Sequence, residues 1–207
     1  FYMGGASLMT DPSVSSVSPG AAVGLSVATL VGTWLAYHYV WRSGLGRSDP
    51  TLATAYTVAL IVGASAIFFH YLSGRAAYVH VGVLVGTLMT GNVWFCIVPS
   101  QRELIAATVE GREQDKALSD QAKQRSIHNN YFTFPLLFVM LSNHFPSTFG
   151  HKHNWAVLTV LALASASIRH LMNIRFGRPT KDWLWGAIGA GSVGLAVVYG
   201  MMLHATR

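Results

Sequence analysis

Residues 74–103, GRAAYVHVGVLVGTLMTGNVWFCIVPSQRE, and residues 122–146, AKQRSIHNNYFTFPLLFVMLSNHFP, decide the architecture of this chain. Each stretch contains one long apolar segment, and a polar, charged stretch separates the two. His80 opens the first segment, His128 precedes the second, and His144 closes it. A helix of about 20 mostly apolar residues crosses the hydrocarbon core of a membrane. The pattern therefore predicts two membrane-spanning helices joined by a polar linker.

Four further segments have a similar length and apolar character. Of the 207 residues 52% are hydrophobic and only 11% are charged, whereas soluble domains average about 25% charged residues. We therefore predict an all-α, polytopic transmembrane helical bundle. The six predicted spans cover residues 21–41, 52–72, 77–98, 130–145, 155–174 and 183–203. Residues 1–9, FYMGGASLM, are expected to be the tail of a partial N-terminal span, which predicts that the sequence is part of a longer chain.

These spans divide the chain into four predicted regions. Residues 1–19 form the end of a truncated span and an outer loop, and residues 20–99 form three transmembrane helices. Residues 100–127 form a cytoplasmic polar linker, and residues 128–207 form three further transmembrane helices. Sparse apolar residues predict two short surface helices in the linker, broken near Gly111. A solvated connector is the favoured interpretation of this linker, and a partner-binding surface is the alternative.

The net charge of +6 indicates membrane orientation rather than nucleic-acid binding, because the basic residues gather in alternate loops. Only Arg75, Lys152 and Arg207 lie in the segments that this bias places outside. The bias predicts an orientation in which the C-terminus lies on the outer side of the membrane. The predicted inner cations are Arg42, Arg47, Arg102, Arg112, Lys116, Lys123, Arg125, Arg175, Arg178 and Lys181.

Several kinds of chemistry are disfavoured by the residue pattern. All eight carboxylates lie in predicted loops or at helix ends, so no buried acid pair or acidic proton relay is expected. The single cysteine, Cys96, excludes an internal disulfide and a CxxCH attachment site for c-type haem in these residues. Arg169 is the only basic residue inside an apolar run. A functional role and snorkelling toward the inner surface both remain open for it.

Histidines at helix ends are the remaining candidates for chemistry. His70 and His80 flank one short turn, and the fourth span returns to the same outer depth at His144. Two imidazoles at matched depth suit axial ligation of a haem iron. We expect a b-type haem whose iron is bound by His80 and His144, with His70 as the substitute ligand. Gly82 and Gly86 leave room for either a flat ligand or a closely packed helix.

Three motifs carry a resemblance to a known family: GRAAYVHVG (74–82), NVWFCIVPSQRE (92–103) and residues 123–146. At these motifs the chain resembles the membrane domain of the bacterial cytochrome-c-linked urate oxidase, or urate hydroxylase, family. The resemblance extends from about Asp11 to Arg178. It implies about eight inner-membrane helices, often followed by a cytochrome c domain. It also implies oxidation of urate toward 5-hydroxyisourate, with electrons passed to cytochrome c. The first helices and the haem domain of that family have no counterpart in these residues.

The leading functional hypothesis is a membrane-bound oxidoreductase subunit that takes electrons from urate or a similar small reductant. A purine anion is expected to bind at the inner side, where Gln124, Arg125, His128 and Asn129 offer positive charge and hydrogen bonds. Electrons are expected to leave through the outer haem to a periplasmic cytochrome c or a cytochrome c domain. The alternative is a non-catalytic structural or haem-carrying accessory subunit of a larger respiratory or photosynthetic complex. A transporter is the weaker third hypothesis.

Overall fold

The computed structural model describes residues 8–174 and 182–205, and these residues form helices joined by turns, with no strand among them. A π-helical turn, Val93–Ile97, follows α4 directly. The α-helices are α1 (Pro19–Arg42), α2 (Gly44–Ser48), α3 (Pro50–Tyr71), α4 (Gly74–Asn92), α5 (Val98–Val109), α6 (Lys116–Ser142), α7 (Pro146–Phe149), α8 (Asn154–Ile174) and α9 (Asp182–Ala205).

Polar caps explain where the long helices begin. The side chains of Ser18, Asp49, Ser73 and Asp115 each accept a hydrogen bond from a backbone amide in the first turn of the following helix. In α1 and α3 the cap is followed by a proline, whose missing N–H has no intrahelical partner at that position anyway. The sequence thus marks these starts locally, before any tertiary contact forms.

Five helical segments are long and apolar enough to cross a membrane. Large apolar side chains also face outward, such as Val62 at 61% exposure and Leu195 at 66%. Such surfaces are unfavourable in water but suit contact with lipid tails. The prediction of an all-α helical membrane bundle is confirmed. The five segments are α1, α3, the run Gly74–Val109, α8 and α9.

The fourth predicted span, residues 130–145, differs from expectation and is not among these five. It forms the second half of α6, whose first half is polar and charged, and the helix ends at Ser142. Pro135 lies deep inside α6. Sequence reasoning placed the helix start too late because it counted only the apolar residues.

The third predicted span also continues further than expected. The predicted span ends at residue 98, just before Pro99. In the structure Pro99 lies in the first turn of α5, directly after the π-helical turn, and the helical run continues to Val109. A proline removes one backbone hydrogen bond from a continuous helix, and a π-helical turn such as the one directly before Pro99 is a local adjustment that accommodates this loss. The chain then reverses at Gly111, which has a φ of 68°. The two short surface helices predicted around Gly111 are therefore the end of the run Gly74–Val109 and the beginning of α6.

Helix packing is organised around α6. It lies between α4 on one side and α8 on the other, and α8 also packs against α9. Helices α1, α3 and α4 pack against one another, and their shared core includes Phe68, Tyr78 and Leu84 together with Val139 of α6. A second cluster forms around Tyr37 and its neighbours. This arrangement gives α6 two buried sides, and both carry polar residues.

Candidate functional site

A fully buried arginine lies where α1, α4 and α6 meet. Arg125 has 0% exposure, although its position in the sequence predicted an inner loop cation. Its Nη1 donates to Asn92 Oδ1 at 3.2 Å, and its Nη2 donates to the His38 backbone oxygen at 3.3 Å. The guanidinium lies over the Tyr37 ring, 4.7 Å from its centroid. Its Nε has no hydrogen-bond acceptor.

Asn92 connects this arginine to its neighbours. Its Nδ2 donates to the Tyr37 hydroxyl at 2.8 Å and to Asn129 Oδ1 at 2.9 Å. Asn129 in turn donates to the Met89 backbone oxygen at 3.1 Å. Asn92 is the last residue of α4 before the π-helical turn, a type of distortion that is frequent at functional sites. Both N–H groups of the Asn92 side chain are therefore in use, and its Oδ1 accepts one hydrogen bond from Arg125.

His128 completes the cluster. Its Nδ1 is 2.8 Å from the Tyr37 hydroxyl. Because Asn92 already donates to the Tyr37 oxygen, this pattern assigns the hydroxyl proton to the bond with Nδ1, which leaves the His128 proton on Nε2. The indole of Trp41 packs on the imidazole at a centroid distance of 4.3 Å and donates to Thr57 Oγ1 at 2.8 Å. His128 thus presents one N–H donor while its other nitrogen is held by Tyr37.

Helical spacing explains why these side chains meet. Tyr37 and Trp41 are four residues apart on α1, and Arg125 and Asn129 are four apart on α6, with His128 three residues after Arg125. Residues three and four apart share one face of a helix. One face of α1 therefore meets one face of α6, and Asn92 lies between them. We refer to Tyr37, Asn92, Arg125, His128 and Asn129 as the Arg125 cluster.

The positive charge of Arg125 has no acidic partner within residues 8–174 and 182–205. The ion pairs in that part of the chain are those of Arg112 with Glu103 and Glu110, on the surface. Both hydrogen bonds of Arg125 go to neutral oxygens and are longer than the 2.7–2.9 Å typical of charge-assisted bonds. A buried, unpaired charge costs several kcal/mol unless another group compensates it. The cluster therefore holds a buried positive charge that no carboxylate of the described residues compensates.

Three of the four predicted inner-site residues come together in this cluster: Arg125, His128 and Asn129. Gln124 precedes Arg125 on α6 but forms no side-chain hydrogen bond within the described residues. Sequence reasoning missed Tyr37 and Asn92. Asn92 did leave a signal, because it is the only side-chain amide within the apolar segment 77–98.

The predicted haem ligands lie in contrasting environments. His80 is buried against Phe68, with its Nδ1 2.7 Å from the Ala76 backbone oxygen, whereas His70 is exposed. His144 is also exposed and follows the end of α6. A Cβ added at Gly82 would lie 3.0 Å from Val139 Cγ1, so helix packing occupies the space proposed for a flat ligand. These surroundings do not fit a porphyrin between His80 and His144.

Among the described residues, no group of three or more His, Cys, Asp or Glu side chains is arranged to bind a metal ion. An apolar groove of about 460 Å³ runs between α1 and α3, but the Arg125 cluster does not line it. The cluster is closed by its own side chains in this conformation.

Fold and cluster together define a class: a helical membrane protein with a buried cationic site at one end of its bundle. The chain belongs to the urate oxidase N-terminal family, whose sequence profile matches residues 1–201. No curated protein and no solved structure matches the chain. Membership of this family indicates a urate-related oxidoreductase function.

Proposed function

We propose that this chain binds urate, or a closely similar purine anion, at the Arg125 cluster and passes the electrons released by its oxidation to cytochrome c. The observation that carries the proposal is the fully buried guanidinium of Arg125, which lacks a carboxylate partner among the described residues and has an unpartnered Nε. The family membership supports urate as the anion.

The donors of the cluster suit a planar anion. A guanidinium is planar and presents paired N–H groups that match two neighbouring acceptor atoms, such as a carbonyl oxygen and an adjacent ring nitrogen. His128 offers Nε2–H as a further donor, since its Nδ1 is held by the Tyr37 hydroxyl. These groups bind and orient the ligand, and their burial excludes water.

The reaction is balanced with water and cytochrome c. Adding the hydroxyl of one water molecule to urate carbon 5 yields 5-hydroxyisourate, two protons and two electrons. Cytochrome c accepts one electron at a time, so two molecules are reduced for each urate oxidised. The residues of the cluster hold the anion while these electrons leave, and the positive charge of Arg125 stabilises the bound anion in a site of low dielectric.

Binding requires the cluster to open, because its side chains now fill the space. The bonds that a ligand would replace are the two long contacts of Arg125 with neutral oxygens. Charge-assisted bonds to an anion are roughly twice as strong as bonds between neutral groups. The exchange therefore favours the bound anion.

We also propose a bacterial inner-membrane location with the C-terminus in the periplasm. The excess of basic residues in alternate loops supports this orientation. It puts the Arg125 cluster at the cytoplasmic end of the bundle and cytochrome c at the opposite surface, so the proposal requires a redox carrier, held by another part of the full-length protein or by a partner, that takes the two electrons across the membrane. A partner in a larger membrane complex is compatible with the same arrangement.

The proposal is tested with Arg125→Lys in the full-length protein. Lysine keeps the charge but loses the planar pair of donors, so we expect urate affinity to fall about tenfold to a hundredfold. Equilibrium dialysis with radiolabelled urate measures binding, and urate-dependent reduction of cytochrome c measures turnover. Arg112→Lys, at an exposed position, is the matched control and should match the wild type. Equal affinity of a folded Arg125→Lys protein and the wild type would refute this site.

The alternative function is a non-catalytic structural or accessory subunit of a larger membrane complex. The closed packing of the Arg125 cluster favours it, since a purely structural network would also be filled by its own side chains. The same experiment separates the two functions. A wild-type protein that neither binds urate nor supports urate-dependent reduction of cytochrome c would favour the structural subunit.

A further inference from the structure

A second polar cluster lies on the opposite side of α6, where it faces α8. Arg169 Nε donates to Asn130 Oδ1 at 2.8 Å, and Asn173 Nδ2 donates to the same oxygen at 2.8 Å. The Arg169 guanidinium lies 5.3 Å from the centroid of the Phe134 ring. None of these residues belongs to the Arg125 cluster, so the proposed function leaves them unexplained.

The terminal nitrogens of Arg169 are available for a ligand. No carboxylate pairs with this arginine within the described residues, and only its Nε donates a hydrogen bond there. Asn130 and Phe134 hold the side chain from two directions. The guanidinium is thus positioned by its neighbours rather than free to extend along the helix, and a pre-positioned donor pair binds an anion with little loss of entropy.

The site lies where both helices change from apolar to polar. On α6 the residues before Asn130 are polar and charged, and those after it are mostly apolar. On α8 the residues from Trp155 to Ile168 carry no charge, and Arg169 follows them. Arg169 therefore lies in the last part of the span Asn154–Ile174, close enough to its end for the long side chain to reach the level of the lipid headgroups.

One face of α8 leads to this site. Thr159, Leu163, Ser167 and His170 are all exposed and recur at the three- and four-residue spacing of a single helix face. The Nδ1 of His170 is 2.8 Å from the Tyr131 hydroxyl, which fixes the imidazole at the end of this face. An acyl chain lying along the face would bring its headgroup to His170 and Arg169.

We propose that Arg169, His170 and Asn173 form a binding site for the phosphate of an anionic membrane phospholipid. The guanidinium of Arg169 binds two phosphate oxygens, and the amide of Asn173 and the imidazole of His170 donate to the remaining ones. The exposed face of α8 accommodates an acyl chain. The site is independent of the urate proposal, since it uses neither Arg125 nor its neighbours.

The test uses the full-length protein purified in a mild detergent and incubated with phosphatidylglycerol. Native mass spectrometry counts the lipids retained as the lipid concentration is varied. We expect wild-type protein to retain phosphatidylglycerol in preference to phosphatidylcholine, and Arg169→Gln to weaken retention about fivefold to tenfold. Arg169→Lys keeps the charge and should give an intermediate value. Arg112→Gln, which removes the same charge at an exposed site away from α8, should retain lipid as the wild type does.

Two results would overturn the proposal. One is equal retention of phosphatidylglycerol by wild type and by a folded Arg169→Gln protein, with folding checked by the thermal unfolding midpoint. The other is displacement of the retained lipid by millimolar inorganic phosphate, which would show a site for free phosphate rather than for a lipid headgroup. If Arg169→Gln does not fold, the comparison of Arg169→Lys with Arg112→Lys decides in the same way.

Discussion

Replacing Asn92 by aspartate tests whether the uncompensated charge of Arg125 attracts the substrate. The Asn92 side chain is 2% exposed, and its Oδ1 lies 3.2 Å from Arg125 Nη1. Aspartate has nearly the same shape and would pair with the guanidinium at that distance. The substitution therefore changes the charge of the cluster with little change in its volume.

The expected loss of affinity follows from the charge that the aspartate cancels. An anion about 4 Å from a guanidinium is attracted by about 4 kcal/mol at an effective dielectric constant of about 20. A carboxylate at position 92 removes most of this attraction, because it lies as close to Arg125 as the ligand would. At 1.4 kcal/mol for each tenfold change, Asn92→Asp should weaken urate binding by up to about three orders of magnitude.

Equilibrium dialysis of radiolabelled urate against the full-length protein measures this loss. Asn173→Asp is the matched control, since it adds the same charge at the α6–α8 contact and leaves the Arg125 cluster intact. It should bind urate as the wild type does. If a folded Asn92→Asp protein binds urate within about threefold of the wild type, the charge of Arg125 does not attract the substrate, and the reasoning fails.

Three further predictions concern the fold and its orientation. Tyr37→Phe removes one buried and one partly buried hydrogen bond, so the free energy of unfolding should fall by about 1–3 kcal/mol in a denaturant titration. Tyr39→Phe, at an exposed position, should leave it unchanged, and an equal loss in both variants would contradict this. A Cβ at Gly91 would overlap the Trp34 indole, so Gly91→Ala should cost about 1–3 kcal/mol by the same assay, and Gly86→Ala, with no atom within 4 Å of its added Cβ, should be tolerated. The orientation is tested in a variant with Cys96 replaced by serine, into which one new cysteine is introduced at a time. A cysteine at Gln114 should resist a membrane-impermeant thiol reagent added from the periplasm, and a cysteine at Lys152 should react with it. The reverse pattern would invert the proposed orientation.

The Arg125 cluster shows which of its residues the sequence could predict. Arg125, His128 and Asn129 were identifiable as a group because they lie at helical spacing beside an apolar segment. Tyr37 and Asn92 were not, since they lie 91 and 37 residues away from their partners His128 and Asn129. Spacing along one helix is a local property, whereas the choice of partner helix depends on packing across the bundle.

The haem hypothesis depends on a property that the sequence could predict, the membrane depth of the histidines, and on one that it could not, the direction in which their side chains face. His80 and His144 share a predicted membrane depth, and that depth follows from counting residues along the helices. Depth alone does not decide whether two side chains face each other across an open space. In the structure His80 faces the core beside Phe68, while His144 is exposed. Haem ligation by these residues stays a prediction, and one that their surroundings do not favour.

The sequence alone determined that this protein is a helical bundle of membrane-spanning length, because apolar composition and polar caps act within each segment. The caps Ser18 and Asp49 are also local features, since each acts on the first turn of the helix that follows it. Only the tertiary structure decided that α6 begins well before its apolar half and that Arg125 is buried rather than solvated. The physical reason is that a polar residue is stable inside a bundle when helices distant in sequence supply its partners, and those partners are set by packing.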